Sequence, residues 1–106
     1  LRIPQVPDDV LHAFYKCYVF VEPAKLPAGV TRDDIIAKIN AQGVPCFSGS
    51  CSEVYKEKAF ENTNYRPQKS LDNALVLGET SLMFLVHPTL TEAEIAKTLA
   101  AIASLN

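Results

Sequence analysis

The chain has 106 residues, 48% apolar and 21% charged, with a net charge of −2. That is ordinary sequence for one domain, long enough to bury roughly two-thirds of its unfolded surface without staples. No basic stripe suits nucleic acid, and the longest apolar run, LMFLV at 82–86, is far shorter than the roughly 18 residues of a membrane span.

Residues 1–11 hold Pro4 and Pro7 and read as an extended lead-in. AFYKCYVFV (13–21) is rich in aromatic and β-branched residues, which predicts a strand. Phe14, Lys16, Tyr18 and Phe20 share one face, and Tyr15, Cys17, Val19 and Val21 the other. Both faces are largely apolar, so this strand is expected at the centre of its sheet. A loop follows, from Glu22-Pro23 to Gly29.

VTRDDIIAKINAQG (30–43) carries helix punctuation. Thr31 is the expected N-cap, and Asp33 and Asp34 favour the positive end of the helix dipole. Val30 and Ile35 are spaced for a hydrophobic staple. Ile35, Ile36 and Ile39 make the buried stripe, and Gly43 supplies a left-handed C-terminal residue. VPCFS (44–48) predicts a short edge strand, since Pro45 lacks an N–H for a ladder.

Residues 52–60 suggest a helical turn, and 61–69 are polar and irregular. SLDNALVLGE (70–79) reads as a second helix, with Ser70 as cap, Leu71, Ala74 and Leu75 on one side, and Gly78 weakening or ending it. SLMFLV (81–86) is a strand apolar on both faces. In the last helix, 92–105, Thr91 and Glu94 make a capping box, Leu90 and Ile95 a staple, and Ile95, Leu99 and Ile102 the core stripe. This order predicts an α+β domain, a small sheet with helices mostly on one face.

The candidate chemistry is sparse. Cys17, Cys46 and Cys51 form an odd set without CxxC spacing, which argues against a disulfide framework or a zinc site and suits reduced thiols in the cytoplasm. There is no signal-peptide pattern. Cys51 is a candidate nucleophile without a neighbouring His in sequence. Lys16 is either a lysine of lowered pKa or a side chain snorkelling to water at the sheet rim. His12 and His87 are candidate general acids or bases. Ser48-Gly49-Ser50-Cys51-Ser52 is either a solvated turn or a loop kept small so that a ligand can approach its backbone and hydroxyls. It is not a P-loop, because the Gly-Lys-Ser/Thr ending is missing. No complete catalytic constellation emerges. The chain opens Leu-Arg-Ile-Pro, and its only methionine is Met83, which suggests a piece of a longer protein.

Four stretches, in order, resemble a known family: HAFYKCYVFV (12–21), RDDIIAKINAQGVP (32–45), the Tyr55–Phe60 segment with its Ala-Phe ending, and SLMFLVHPTLTEAEI (81–95). Together they resemble the C-terminal domain of the DegT/DnrJ/EryC1/StrS family, pyridoxal-phosphate sugar aminotransferases of fold type I. The resemblance runs from about residue 2 to about residue 104. It implies a mainly antiparallel three-stranded sheet, a single domain over 1–106, and a large cofactor-binding domain outside the chain. It further implies a cytoplasmic, homodimeric parent enzyme that moves an amino group from a donor such as glutamate to a nucleotide-linked keto sugar. Polysaccharide, lipopolysaccharide or glycoconjugate biosynthesis would be its setting. Pyridoxal phosphate would belong to the parent and not to this fragment. The fragment would be inactive, with no catalytic residue of its own, and Lys16 does not match the surroundings of the family's cofactor lysine.

In many members a Tyr-Pro-x-Pro-Leu-His type loop follows the Gly-Ile/Val-Pro turn and approaches the sugar. Here the matching positions read Gly-Ser-Cys-Ser-Glu-Val-Tyr, and Tyr55 stands where the His is often found. The substrate-binding candidates are therefore Ser48, Gly49, Ser50 and Tyr55, joined by His12 and Tyr15. The alternative reading is a stand-alone α+β binding or dimerisation module.

Overall fold

A computed structural model describes residues 1–105. Its regular elements are β1 (Lys16–Phe20), α1 (Arg32–Ala41), β2 (Cys46–Phe47), α2 (Asp72–Thr80), β3 (Ser81–Leu85) and α3 (Glu92–Ala103). Short 3-10 turns lie at Pro23–Lys25, Val54–Lys56 and Lys58–Phe60. The strands form one antiparallel sheet in the order β1–β3–β2, and with the three helices they make an α+β architecture.

The centre of the sheet is β3, not β1. Ser81, Leu82, Met83 and Phe84 are all buried, so β3 is covered on both faces. By contrast, β1 buries only Val19 fully and leaves Lys16, Tyr18 and Phe20 half-exposed. Its outer edge is met at one point by the lead-in, where Arg2 and Phe20 exchange two backbone hydrogen bonds of 2.7 and 2.8 Å. The Arg2 guanidinium also lies 4.6 Å from the Phe20 ring centre. This contact blunts an otherwise open edge. β2 is shorter than expected and pairs only through Cys46 and Phe47, because Pro45 has no N–H to give.

The register assigns the faces. Cys17, Phe84 and Cys46 stand opposite one another in one row, and Val19 and Leu82 in the next. Paired residues share a face, and these join Ile35, Ile39 and Ala101 of α1 and α3 in the core. The second face carries Tyr18, Met83 and Phe47 in one row and Phe20 and Ser81 in another.

The helices start largely as expected. Thr31 caps α1, and Asp34 closes the capping box by accepting from the Thr31 N–H at 2.8 Å. Thr91 and Glu94 do the same for α3, also at 2.8 Å. The buried side of α3 differs from expectation. Ile95 and Leu99 are exposed, while Ala101 is buried and Thr98, Ile102 and Leu105 are partly so. Two polar ties hold this rotation. Lys97 Nζ donates to the Gly43 carbonyl at 3.1 Å, and Gln42 Nε2 to Ser104 Oγ at 2.9 Å. Both act at the C-terminal end of α1, where a cation also suits the helix dipole.

In α2 the N-cap position is Leu71, which makes no side-chain cap, and not Ser70. Leu71 is exposed, while Ala74 and Leu75 are half-buried. The helix continues through Gly78 to Thr80 and passes directly into β3. Gly78 does not end it. Its lack of a side chain admits Ser52, whose Oγ would lie 2.6 Å from a Cβ there.

Two outcomes follow. Leu82→Ala removes a side chain with no exposed surface from the middle strand and should cost about 2–5 kcal/mol in urea unfolding. The carboxyl of Glu94 is held below its ordinary value of 4.5, first by the Thr91 N–H and then by the Thr91 hydroxyl. A depressed carboxylate stabilises above its unfolded pKa and ceases to as pH falls through the folded one. Glu94→Ala should therefore lower the unfolding midpoint at neutral pH, and its gap to wild type should narrow as pH drops below 4.5.

Candidate functional site

The chain leaves β2 at Phe47 and turns across the second face of the sheet. Gly49 makes the turn with φ +88°, a conformation costly for any residue with a Cβ. It also sits flat on Tyr18, because a Cβ at this position would lie 2.8 Å from Tyr18 Cε1. The Tyr18 hydroxyl and Ser50 Oγ are hydrogen-bonded at 2.9 Å. Ser81 Oγ donates to the Ser48 carbonyl at 2.8 Å. Arg32 Nη1 donates to the Ser81 carbonyl at 2.9 Å and points to the Ser48 carbonyl at 3.4 Å. Three elements, β1, α1 and β3, thus fix the short loop, while Ser48 and Ser50 stay exposed.

The loop continues into a polar network. Cys51 Sγ donates to Glu57 Oε1 at 3.2 Å. That bond to a carboxylate pushes the thiol pKa up, which opposes formation of a nucleophilic thiolate. The Tyr55 hydroxyl donates to Glu53 Oε1 at 2.6 Å and accepts from the Leu71 N–H at 3.1 Å. It therefore ties the 53–56 turn to the start of α2. Glu53 also pairs with Lys56 at 2.8 Å, and this bond, followed by that from Tyr55, lowers its pKa.

His12 lies beside the same face. Its Nδ1 accepts from the Phe14 N–H at 2.8 Å, which places the proton of the neutral ring on Nε2. Its ring lies 4.2 Å from that of Phe14, and Phe14 takes φ +45°, rare for a bulky residue. A shallow cleft of about 150 Å³ is lined by His12, Phe14, Lys16, Tyr18, Val10 and prolines of the lead-in. Tyr15 is exposed and does not line it; the Lys16 ammonium lies 5.5 Å from its ring centre. His87 bonds Thr89 Oγ1 at 2.9 Å through Nδ1, in the turn before α3.

Of the sequence candidates, Gly49 and Ser50 meet on Tyr18, Ser48 is held by Ser81 and Arg32, and Tyr18 also lines the His12 cleft. Tyr55 is engaged with Glu53 and α2, and Tyr15 stands apart. Tyr18 and Arg32 were not legible as site residues. The first stands on a strand face beside Phe14, Lys16 and Phe20, and the second opens α1. Among the described residues, no group of three His, Cys, Asp or Glu side chains could hold a metal ion. Nor is any helix among them long and apolar enough to cross a membrane.

No family model matches the chain, and neither does any curated protein. Solved structures do. The aminotransferase from Psychrobacter cryohalolentis is 61% identical over 90% of this chain, with a TM-score of 0.87. By sequence and fold, this chain is aminotransferase-like. A DegT DnrJ EryC1 StrS aminotransferase from Brucella abortus shares the fold over 97% of the chain, with a TM-score of 0.75 and 21% identity. The chain spans about a quarter of each structure's length, 24% and 25%. The aminotransferase-like segment thus contains both the clamped loop and the His12 cleft.

Gly49→Ala places a Cβ against Tyr18 in a left-handed turn. It should destabilise the protein by about 1–2 kcal/mol or more, measured by urea unfolding.

Proposed function

We propose that this chain is the C-terminal small domain of a pyridoxal-phosphate-dependent nucleotide-sugar aminotransferase of the DegT/DnrJ/EryC1/StrS family. The parent would act in the cytoplasm as a homodimer, moving an amino group from a donor such as glutamate to a keto sugar for polysaccharide, lipopolysaccharide or glycoconjugate assembly. The observation that carries this reading is the 61% identity to an aminotransferase over 90% of the chain.

In this reading pyridoxal phosphate lies outside this segment. The Lys25 and Lys56 ammonium groups pair with Glu22 and Glu53, and Lys97 is bound to the Gly43 carbonyl. Lys16 lies over the exposed Tyr15 ring. The cofactor would be held by the rest of the polypeptide, and the fragment alone would be inactive. Its own contribution is to orient the sugar. The exposed Ser48 and Ser50 hydroxyls can each donate and accept, and His12, whose Nδ1 accepts from the Phe14 N–H, presents an Nε2–H donor beside the cleft. Gly49 keeps the loop surface low, so a sugar ring can approach its backbone.

The test is the visible spectrum of the full polypeptide that carries this chain. A bound-cofactor band that changes on adding glutamate is expected, together with amino transfer to a keto sugar. A folded, full-length protein without the band would overturn the reading and favour a binding or dimerisation module. Ser50→Ala should leave the band intact and raise the KM for the sugar by roughly two- to tenfold, the worth of one hydrogen bond.

A further inference from the structure

The loop that faces the sugar in this reading is held by residues distant in sequence. Its turn is left-handed at Gly49, its serines are exposed, and its firm contacts come from outside. At one end Ser81 and Arg32 grip the Ser48 carbonyl. At the other end the contacts are both to Tyr18, whose ring lies under Gly49 and whose hydroxyl meets Ser50 Oγ at 2.9 Å. Tyr18 is half-buried in β1, paired with Met83 of the buried central strand. It is therefore a post set in the sheet beneath the loop.

We propose that Tyr18 is a positioning residue for the acceptor sugar, acting through Ser50. The inference rests on the aminotransferase reading above. When the Tyr18 hydroxyl donates to Ser50 Oγ, the Ser50 proton is directed outward. Ser50 then offers a donor of fixed direction to a hydroxyl or carbonyl oxygen of the sugar. Without the phenol, Ser50 rotates freely and an ordered donor is lost. The same ring lines the His12 cleft, so β1 sets the spacing between the Ser50 hydroxyl and the cleft wall.

Tyr18→Phe isolates the hydroxyl, because the ring that supports Gly49 remains. In the full polypeptide it should raise the KM for the keto sugar roughly two- to tenfold. The half-reaction with the amino donor and the thermal midpoint should stay unchanged. Tyr18→Phe combined with Ser50→Ala should be no worse than Ser50→Ala alone, since the two act through one bond. Additive effects, or a KM that responds to Ser50→Ala but not to Tyr18→Phe, would overturn the proposal. So would equal loss in both half-reactions. If the wild-type protein transfers no amino group at all, the functional reading fails on its own. Amide exchange over residues 49–52 then decides what remains. Faster exchange in Tyr18→Phe upholds Tyr18 as the post that orders the loop, and unchanged exchange removes it.

Discussion

The structure depends on β3 being buried on both faces. Its two edges carry the ladders to β1 and β2, one face closes the core with α1 and α3, and the other supports the loop after β2. Leu82 is fully enclosed and Ser81 is buried, although it is polar. Ser81 is tolerated there because its hydroxyl bonds the Ser48 carbonyl and its own carbonyl receives Arg32, leaving no polar atom unpaired. A strand built for hydrophobic burial thereby also supplies the anchor of the candidate site.

The candidate site is assembled from positions distant in sequence, and each brings a different physical contribution. β1 gives a flat aromatic support. α1 gives a cation, with its guanidinium largely shielded and its Nε held by Asp33 at 2.6 Å. The loop gives small residues and exposed hydroxyls. Burial is uneven in a useful way: the anchors are enclosed and the serines are not. In the proposed function, such a wall would recognise a polyhydroxylated ligand by shape and hydrogen bonding and leave covalent chemistry to the cofactor.

Much of this architecture was legible in the sequence because local rules decide it. Thr31 and Thr91 announce helix starts through side chains that bond their own neighbours, and Pro45 announces an edge. The misreadings share one cause, tertiary placement. β1 looks apolar on both faces, yet its second face takes only half-cover, and the centre falls to β3. Ile95 and Leu99 carry the right spacing for a core stripe, but α3 turns Ala101 into the core, with Lys97 and Ser104 tied to the end of α1. Gly78 reads as a helix breaker, and its role is instead to make room for Ser52. The loop was recognisable from its small residues and from the family resemblance. Tyr18 and Arg32 were not, since nothing local marks a strand tyrosine as the support of a loop 32 residues later.

The strand order has a consequence for how the chain reaches this state. The middle strand is the last of the three to be made. β1 and β2 have no ladder with each other and must wait for β3, and Lys16 finds its partner only at Leu85. Closing such distant pairs costs chain entropy before any contact repays it, which slows folding. During synthesis the early helix, its cap already satisfied, can form ahead of the sheet. The Ser48–Ser50 loop has no anchor until Ser81 arrives. The candidate binding surface is thus completed only as the central strand docks, so a chain interrupted before that strand would lack both the core and the wall together.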